Sequence, residues 1–391
     1  MNFALSPEHE SFRAVVRDFA QSEIAPHVAQ WDRDHHFPVD VVHKMGELGL
    51  FGLTAPEEYG GAGEDGDFTS LCVAIEELGR VDQSIGITLE AAVGLGINPL
   101  QTYGTEAQKQ EWLPDLVAGR TLAGFGLTEP GSGSDAGAMA TRAELDGDTW
   151  VLNGAKQFIT NSGSSITSLV NVACRTGTKP DGRPELSTLI VPADTPGFVA
   201  EPAYDKLGWH ISDTHPLTFT DVRVPAANLL GERGRGYAQF LATLDDGRVA
   251  IAALAVGCIQ ACLDLSLQYA GERTTTGGTV IGAKQAVAFQ IADLEVMAQA
   301  GRALTYQAAA MKDAGAPVKD FKRAASVAKL YTSEAAVSAT RIATQVFGGY
   351  GFMEEYAVAR FYRDAKILEI GEGTSEVQRM LIARGLGLPV E

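Results

Sequence analysis

Cysteine is scarce in this chain of 391 residues, which has only Cys72, Cys174, Cys258 and Cys262. None of the four forms a Cys-x-x-Cys pair. Cys258 and Cys262 stand four residues apart in a helical pattern, so we expect them to pack as small hydrophobic side chains rather than to chelate a metal. The low count fits a reducing compartment. The histidines form no His-Glu-x-x-His motif, and we therefore expect no metal site.

Basic residues are also few, with 31 Lys and Arg against 49 Asp and Glu, which gives a formal net charge of -18. A strongly acidic chain without a dense Lys/Arg run repels nucleic acid, so binding of nucleic acid is disfavoured. The first residues have neither the basic start nor the apolar core of a signal peptide, and they are not rich in Arg. We expect no apolar run long enough to span a bilayer. The simplest expectation is a cytoplasmic protein that does not bind a membrane.

The hydrophobic period changes twice along the chain, which predicts an α+β protein of three domains. Helical spacing in the first third predicts a helical domain at 1–122. Short β-rich runs with polar turns predict an antiparallel sheet or barrel at 123–235. Long alanine-rich helical segments predict a helix bundle at 236–391. The predicted helices cover residues 8–30, 39–48, 67–79, 105–118, 281–312, 318–347 and 375–384, with a long helix from about 236, and the predicted strands cover 149–154, 168–174, 187–191 and 217–224.

One carboxylate near the C-terminus stands between two glycines. Glu372 lies between Gly371 and Gly373, and Thr374 then precedes an amphipathic run. Glycine permits tight turns and close approach, and threonine is a good helix cap. The pattern is suited to presenting a general base over a ligand, although the spacing alone is more typical of a turn between helices with an exposed glutamate.

Five motifs in order give the chain a resemblance to a known family. They are residues 127–135 (LTEPGSGSD), 153–161 (NGAKQFITN), 272–273 (ER), 345–352 (QVFGGYGF) and 363–379, which contains Glu372-Gly373-Thr374. The chain resembles the FAD-dependent acyl-CoA dehydrogenases of short-, medium- or branched-chain type over essentially its whole length. That resemblance implies an N-terminal helical domain, a middle antiparallel β-barrel and a C-terminal four-helix bundle. It also implies a homotetramer, a dimer of dimers, that passes electrons to electron-transfer flavoprotein.

The resemblance also implies a set of site residues. Glu372 would be the catalytic base that removes the α-proton of an acyl-CoA thioester, while the β-hydrogen leaves as hydride to flavin N5 and gives a trans-2-enoyl-CoA. The backbone N–H of Glu372 and a ribityl hydroxyl would polarise the thioester carbonyl. The implied FAD-binding residues are Phe125, Leu127, Thr128, Phe158, Thr160, Arg273, Gln285, Gln345, Gly348, Gly349, Thr374 and Glu376. The implied substrate-binding residues are Ser134, Asp245, Arg248 and Gly371.

Two segments depart from common family patterns, and a third position distinguishes between two arrangements of the catalytic base. Some members carry their base just before the arginine of a Leu-Asp-x-x-Arg helix, but that position is Gly247 here, which supports Glu372 as the base. Residues 274–279 (TTTGGT) lack the usual aromatic after Glu-Arg, which puts the detail of FAD affinity in question. Gly371 replaces a tyrosine found in many straight-chain enzymes, and this favours a branched or wider acyl group.

Two other function classes stay open at this level. A relative on the same fold could pass electrons to oxygen as an oxidase or monooxygenase; the intact Glu372 weakens the monooxygenase version. A non-catalytic or DNA-associated flavin-binding relative is disfavoured by Glu372 and by the net charge of -18.

Overall fold

The computed structural model describes residues 5–390, apart from the side chain of Asp65, and its first part is helical. Helix α1 is capped by Ser6, whose hydroxyl accepts the His9 backbone N–H, and Pro7 stands at its first turn. The N-terminal helices are α1 (Pro7–Phe19), α2 (Val28–Asp34), α3 (Val39–Glu47), α4 (Phe68–Val81), α5 (Gln83–Glu90), α6 (Asn98–Tyr103) and α7 (Glu106–Val117).

The predicted single helix over residues 8–30 is wrong. Helix α1 gives way to a π-helical turn, Ala20–Ile24, and α2 starts only at Val28. Pro26 lies in the break, and proline interrupts a helix because it lacks an N–H and clashes with the preceding turn. A second π-helical segment, Ala91–Ile97, joins α5 to α6 in a region for which the hydrophobic period predicted no element.

The middle part is one eight-stranded sheet, which confirms the predicted β domain with one difference in detail. Strands pair in the order β6-β7-β3-β2-β4-β5-β8, and β1 pairs with β4. Most pairs are antiparallel, but β4 runs parallel to both β1 and β2, because the chain reverses direction twice between β2 and β4. The strands are β1 (Leu122–Gly126), β2 (Arg142–Asp146), β3 (Thr149–Thr160), β4 (Thr167–Thr178), β5 (Pro184–Pro192), β6 (Phe198–Ala200), β7 (Thr214–Pro225) and β8 (Leu229–Leu230).

The last part is again helical, as predicted. Helices α8 and α10 pack against each other and against α9, and α4 of the first part lies along α8. Consequently the helices at both ends of the chain share one large apolar core, while the β sheet has a separate one. The helices are α8 (Gly236–Glu272), α9 (Gln285–Asp313), α10 (Val318–Phe347), α11 (Ala357–Ala365) and α12 (Ser375–Gly385).

Helix α8 is the apolar centre of this core. Its 37 residues are long and apolar enough to cross a bilayer by length and composition alone, so the prediction that no run reaches that length is wrong. However, 83% of its most apolar window is buried inside the protein. A helix that is apolar on all sides is expected where neighbouring helices surround it, and α8 has that position.

Candidate active site

Glu372 lies on a strained turn between two short helical segments. Its φ is +52°, and the next residue, Gly373, has φ +91°. Left-handed backbone is uncommon for a residue with a side chain, and such conformations persist where the surroundings hold them. Thr374 then caps α12 by accepting the Val377 backbone N–H at 3.3 Å, as the sequence predicted.

Two buried side chains hold this turn by hydrogen bonds to one backbone carbonyl. The Lys329 Nζ donates to the Gly373 carbonyl at 2.7 Å, and the Gln378 amide nitrogen donates to the same oxygen at 2.9 Å. Both side chains are fully buried. Lys329 comes from the middle of α10, whose helical pattern was predicted, but nothing in the sequence marked this lysine as part of the site.

The pKa of the Glu372 carboxyl group lies near neutral pH. Burial raises its pKa to about 7, although the charges of Arg248 and Lys329 act in the opposite direction. Its Oε2 is buried and meets no hydrogen-bond partner among the described residues. A general base works best when its pKa lies near the working pH, and an unpaired oxygen is available to accept a proton.

The carboxylate of Glu372 is accommodated by a glycine on α8. A Cβ placed on Gly247 would stand 1.9 Å from Glu372 Oε2 and 2.9 Å from its Cδ. Gly247 is the position at which some relatives were expected to carry their base. The structure therefore explains why the two arrangements exclude each other, since a side chain at 247 would occupy the same space as the Glu372 carboxyl.

A second carboxyl group, that of Glu90, adjoins Glu372, and the sequence analysis missed it. Glu90 is the last residue of α5 and is fully buried. Burial raises its pKa well above the usual range, and the negative charge of Glu372 adds to this effect. A signal was present, because Glu90 is the one charged residue between Asp82 and Glu106 in the sequence.

Asp245 and Arg248 form a buried ion pair on α8, one turn apart. Asp245 is also bound by Lys322 at 3.0 Å. Arg248 has one guanidinium nitrogen, Nε, that is buried and has no hydrogen-bond partner in the part of the chain that the structure describes. The charge of Arg248 acts on Glu372. The two interpretations that the sequence left open, a structural ion pair and a group that orders the pocket, are therefore compatible.

Two segments that the resemblance assigns to the flavin ring are brought together by a backbone hydrogen bond. The Gln157 N–H donates to the Thr128 carbonyl at 2.8 Å, which joins the end of β1 to β3. Phe158 has φ +62° and a ring that is 62% exposed, 5.2 Å from the ring of Tyr204. An exposed aromatic on strained backbone is a surface suited to a planar ligand.

The other members of this group differ in exposure. Leu127, Thr128 and Thr160 are half-buried, whereas the Phe125 ring is buried in an edge-on contact with Phe240 at 4.9 Å. In this structure the Phe125 side chain thus packs against α8, the helix that carries Phe240.

A buried ion pair holds the loop that follows β1, which contains the motif at residues 127–135. Lys156 Nζ donates to Glu129 Oε1 at 2.7 Å, and the same carboxylate accepts two backbone N–H groups, those of Ala140 and Thr141. Ser134, assigned by resemblance to the CoA path, is exposed on this loop. The sequence motifs contain Glu129 and Lys156, but only the fold shows that they pair.

The residues assigned to the ADP part of FAD form a second, exposed group. The Arg273 guanidinium lies over the Tyr350 ring at 5.5 Å, next to Gly348 and Gly349. Gly348 has φ +60°, and a Cβ on either glycine would meet no atom within 4 Å. Gln285 and Gln345 are exposed at the ends of α9 and α10. No hydrogen bond, ion pair or ring contact within residues 5–390 joins this group to Phe158.

The threonine-rich departure after Arg273 is a small hairpin. Thr274 pairs with Val280, the Thr275 N–H donates to the Thr279 carbonyl at 2.8 Å, and Gly278 takes the left-handed conformation with φ +80°. The aromatic ring that contacts the Arg273 guanidinium in this chain is that of Tyr350.

The remaining predicted residues lie close to the base in sequence. Gly371 is half-buried, and a Cβ there would touch only the Ile367 carbonyl at 3.5 Å, so glycine leaves space that packing does not require. Glu376 is exposed in the first turn of α12. Its carboxylate lies at a helix N-terminus, where a negative charge stabilises the helix.

Three family models match successive parts of the chain. Residues 6–120 match the acyl-CoA dehydrogenase N-terminal domain, residues 124–222 the middle domain and residues 234–387 the C-terminal domain. This chain belongs to the acyl-CoA dehydrogenase family. The resemblance inferred from the five sequence motifs is confirmed, and so is the predicted class of enzyme, an oxidoreductase.

Individual relatives of this acyl-CoA dehydrogenase are similar over their full length. "Probable acyl-CoA dehydrogenase YngJ" of Bacillus subtilis (strain 168) is 49% identical over 386 residues, which cover 99% of this chain and 100% of that protein. The structure of butyryl-CoA dehydrogenase from Megasphaera elsdenii aligns with a TM-score of 0.94 at 40% identity, covering 99% and 100% of the two chains. A structure described as the electron transferring flavoprotein of Acidaminococcus fermentans aligns with a TM-score of 0.93 at 39% identity, covering 99% of each.

FAD is the cofactor of this acyl-CoA dehydrogenase, since members of the family are FAD-dependent flavoproteins. The residues present fit that cofactor. Phe158 offers an exposed ring, and Gly348 and Gly349 leave open backbone. Arg273 presents a planar cation of the kind that binds phosphate through two oxygens.

Proposed function

We propose that this acyl-CoA dehydrogenase converts an acyl-CoA thioester into a trans-2-enoyl-CoA, with Glu372 as the catalytic base. The observation that carries the proposal is the Glu372 carboxyl, which stands on a strained turn and has one oxygen, Oε2, that is buried and unpaired among the described residues. A carboxylate with a pKa of about 7 is a stronger base than an ordinary carboxylate, and at neutral pH a substantial fraction of it is ionised. It would take the proton from the carbon beside a thioester whose carbonyl is polarised.

The residues around Glu372 support the step in distinct ways. Lys329 and Gln378 hold the turn through the Gly373 carbonyl, so the carboxylate keeps one position. Arg248 and Lys329 place positive charge near the base and favour its ionised form. The Glu372 backbone N–H is proposed to donate to the thioester carbonyl, which acidifies the α-hydrogen.

The cofactor and substrate residues complete the proposal. When bound, FAD supplies the acceptor for the hydride that leaves the β-carbon. Phe158, Thr160, Thr128 and Leu127 would hold its ring, and the group around Arg273 would hold its phosphates from a neighbouring subunit. Ser134 would lie along the CoA part of the substrate. The residues around Arg273 are exposed in the single chain, which supports a FAD site that two copies of the chain form together.

The proposal extends to the acyl group of the substrate, the electron acceptor and the oligomeric state. The likeness to butyryl-CoA dehydrogenase supports a short acyl chain, and the space at Gly371 supports a branched one as a further candidate. The likeness to a structure described as an electron transferring flavoprotein supports electron-transfer flavoprotein as the electron acceptor. A homotetramer in the cytoplasm, with domains at 1–122, 123–235 and 236–391, remains our prediction.

Anaerobic titration of the FAD-loaded protein with straight and branched acyl-CoAs tests this function. Bleaching of the flavin by one acyl class in the wild type, and its loss in Glu372→Gln, would support both the reaction and the base. Bleaching that survives in Glu372→Gln would show that another residue is the base. If no acyl-CoA bleaches the flavin, the dehydrogenase proposal fails, and rapid reaction of the reduced flavin with oxygen would then favour the oxidase alternative.

A further inference from the structure

Two carboxyl groups from distant parts of the sequence meet at the base, and only one of them has a role so far. Glu90 comes from the end of α5, and Glu372 from the turn before α12. Neither oxygen of Glu90 meets a hydrogen-bond donor among residues 5–390, and Oε2 of Glu372 is also without one. A fully buried carboxyl without any partner is costly, so its presence beside the base requires an explanation.

The backbone around the pair is shaped to hold both groups. A Cβ on Gly94 would stand 3.1 Å from Glu90 Oε1, and a Cβ on Gly247 would stand 1.9 Å from Glu372 Oε2. Glycines therefore give room to the pair on both sides. The π-helical segment Ala91–Ile97 starts directly after Glu90 and shifts the helix register there. Such π-helical turns are common at functional sites.

The charges near the pair favour an anion at Glu372 and not at Glu90. Arg248 of α8 and Lys329 of α10 both act on Glu372, and Arg248 is itself paired with Asp245, which also binds Lys322. Among the described residues, the charge that acts on Glu90 is the like charge of Glu372. Two neighbouring buried carboxyls cannot both ionise without a large cost, and the one without cations keeps the proton.

We propose that Glu90 is a positioning residue that stays protonated and donates its carboxyl O–H to the Glu372 carboxylate, which holds the base in its proton-accepting form. The hydrogen bond stabilises the ionised form of Glu372 and so lowers its pKa relative to burial alone. Glu372 becomes a slightly weaker base, but more of it is ionised near neutral pH. The inference rests on the proposed function of Glu372, and its test is chosen so that the two can fail separately.

The first measurement is the pH dependence of flavin bleaching by butyryl-CoA in the FAD-loaded wild type, Glu90→Gln and Glu90→Leu. Glutamine keeps a neutral donor, so the acidic limb of its profile should stay at the wild-type pH. Leucine removes the donor, so its limb should move upward by about one pH unit. Thermal melting and flavin absorbance show whether each variant is folded and loaded, and Glu90→Met replaces Glu90→Leu if leucine does not fold.

The results that overturn the inference are distinct. A downward shift in both Glu90→Gln and Glu90→Leu would mean that Glu90 is an anion, because each variant removes a negative charge. An upward shift in both would mean that a neutral donor is not what Glu90 supplies. An unchanged limb in both would mean that Glu90 does not act on the base.

A second measurement does not depend on turnover. Infrared difference spectra of the FAD-loaded protein at pH 8 should show a protonated carboxyl that is absent from Glu90→Gln and present in Glu372→Gln. Its absence from the wild type would overturn the inference. A wild type that shows this signal but is bleached by no acyl-CoA would contradict the proposed function and leave the protonated Glu90 standing.

Discussion

The two halves of the proposed site differ in how complete they are within one chain. The surroundings of Glu372 come entirely from one chain. Lys329 and Gln378 hold the turn, and Glu90 and Gly247 lie next to the carboxyl. The group around Arg273 is exposed, and its glycines face open space. The difference separates the chemistry, which one chain can position by itself, from cofactor binding, for which a second chain is proposed.

The sharpest test of the buried half is Glu372→Gln, for which we expect the largest effect. Flavin reduction by the preferred acyl-CoA should slow by about 10³- to 10⁴-fold, because glutamine cannot accept the α-proton. In the wild type the rate should fall as the pH drops through about 7, since the base must be ionised. Stopped-flow bleaching measures both. A variant that keeps the wild-type rate and pH profile would remove Glu372 from the mechanism.

The second test moves the base without changing its chemistry. Gly247→Ala would place a methyl group 1.9 Å from Glu372 Oε2, so the carboxylate must shift, and we expect bleaching to slow by about 100-fold. The matched control is Gly271→Ala on the same helix, where a Cβ meets no atom within 4 Å. Equal rates for the two variants would show that the position of the carboxylate at Gly247 is not critical.

The third test addresses the exposed half. Arg273→Ala should weaken FAD binding by about tenfold, since it removes a charge-assisted pair of hydrogen bonds to phosphate, while the pH position of the acidic limb stays the same. Flavin retained after ultrafiltration of the holoenzyme measures the effect. Arg183→Ala, on an exposed turn, is the control. If Gly247→Ala lost FAD, or if the acidic limb of the pH profile shifted in Arg273→Ala, the two halves of the site would not be functionally separate.

Sequence patterns predicted the long helices and failed at local irregularities. Helix α10 has the predicted bounds of residues 318–347, because Pro317 precedes it and its apolar residues keep one period. The run over residues 8–30 was predicted as one helix because hydrophobic spacing does not reveal a π-helical turn. Pro26 was the available sign of the break.

The candidate site was predictable only where one short segment contains it. The Glu372 turn could be proposed from its own glycines and threonine, and the cap by Thr374 was found as predicted. The contribution of Glu90 depends on a contact between residues that are far apart in the chain, so no local pattern contains it. The burial of the Phe125 ring against Phe240 was hidden from the sequence for the same reason.

The smallest effect we predict concerns substrate choice at Gly371. A Cβ there touches only the Ile367 carbonyl at 3.5 Å, so Gly371→Tyr should fold, and its ring should take space beside the base. We expect the ratio of kcat/KM for branched over straight acyl-CoAs to fall by about tenfold, with the straight substrates little affected. Gly371→Ala, which adds no ring, is the control and should keep the wild-type ratio. An equal loss for both acyl classes would mean that the tyrosine disturbs the Glu372 turn itself, and the space at Gly371 would then have no part in selecting the acyl group.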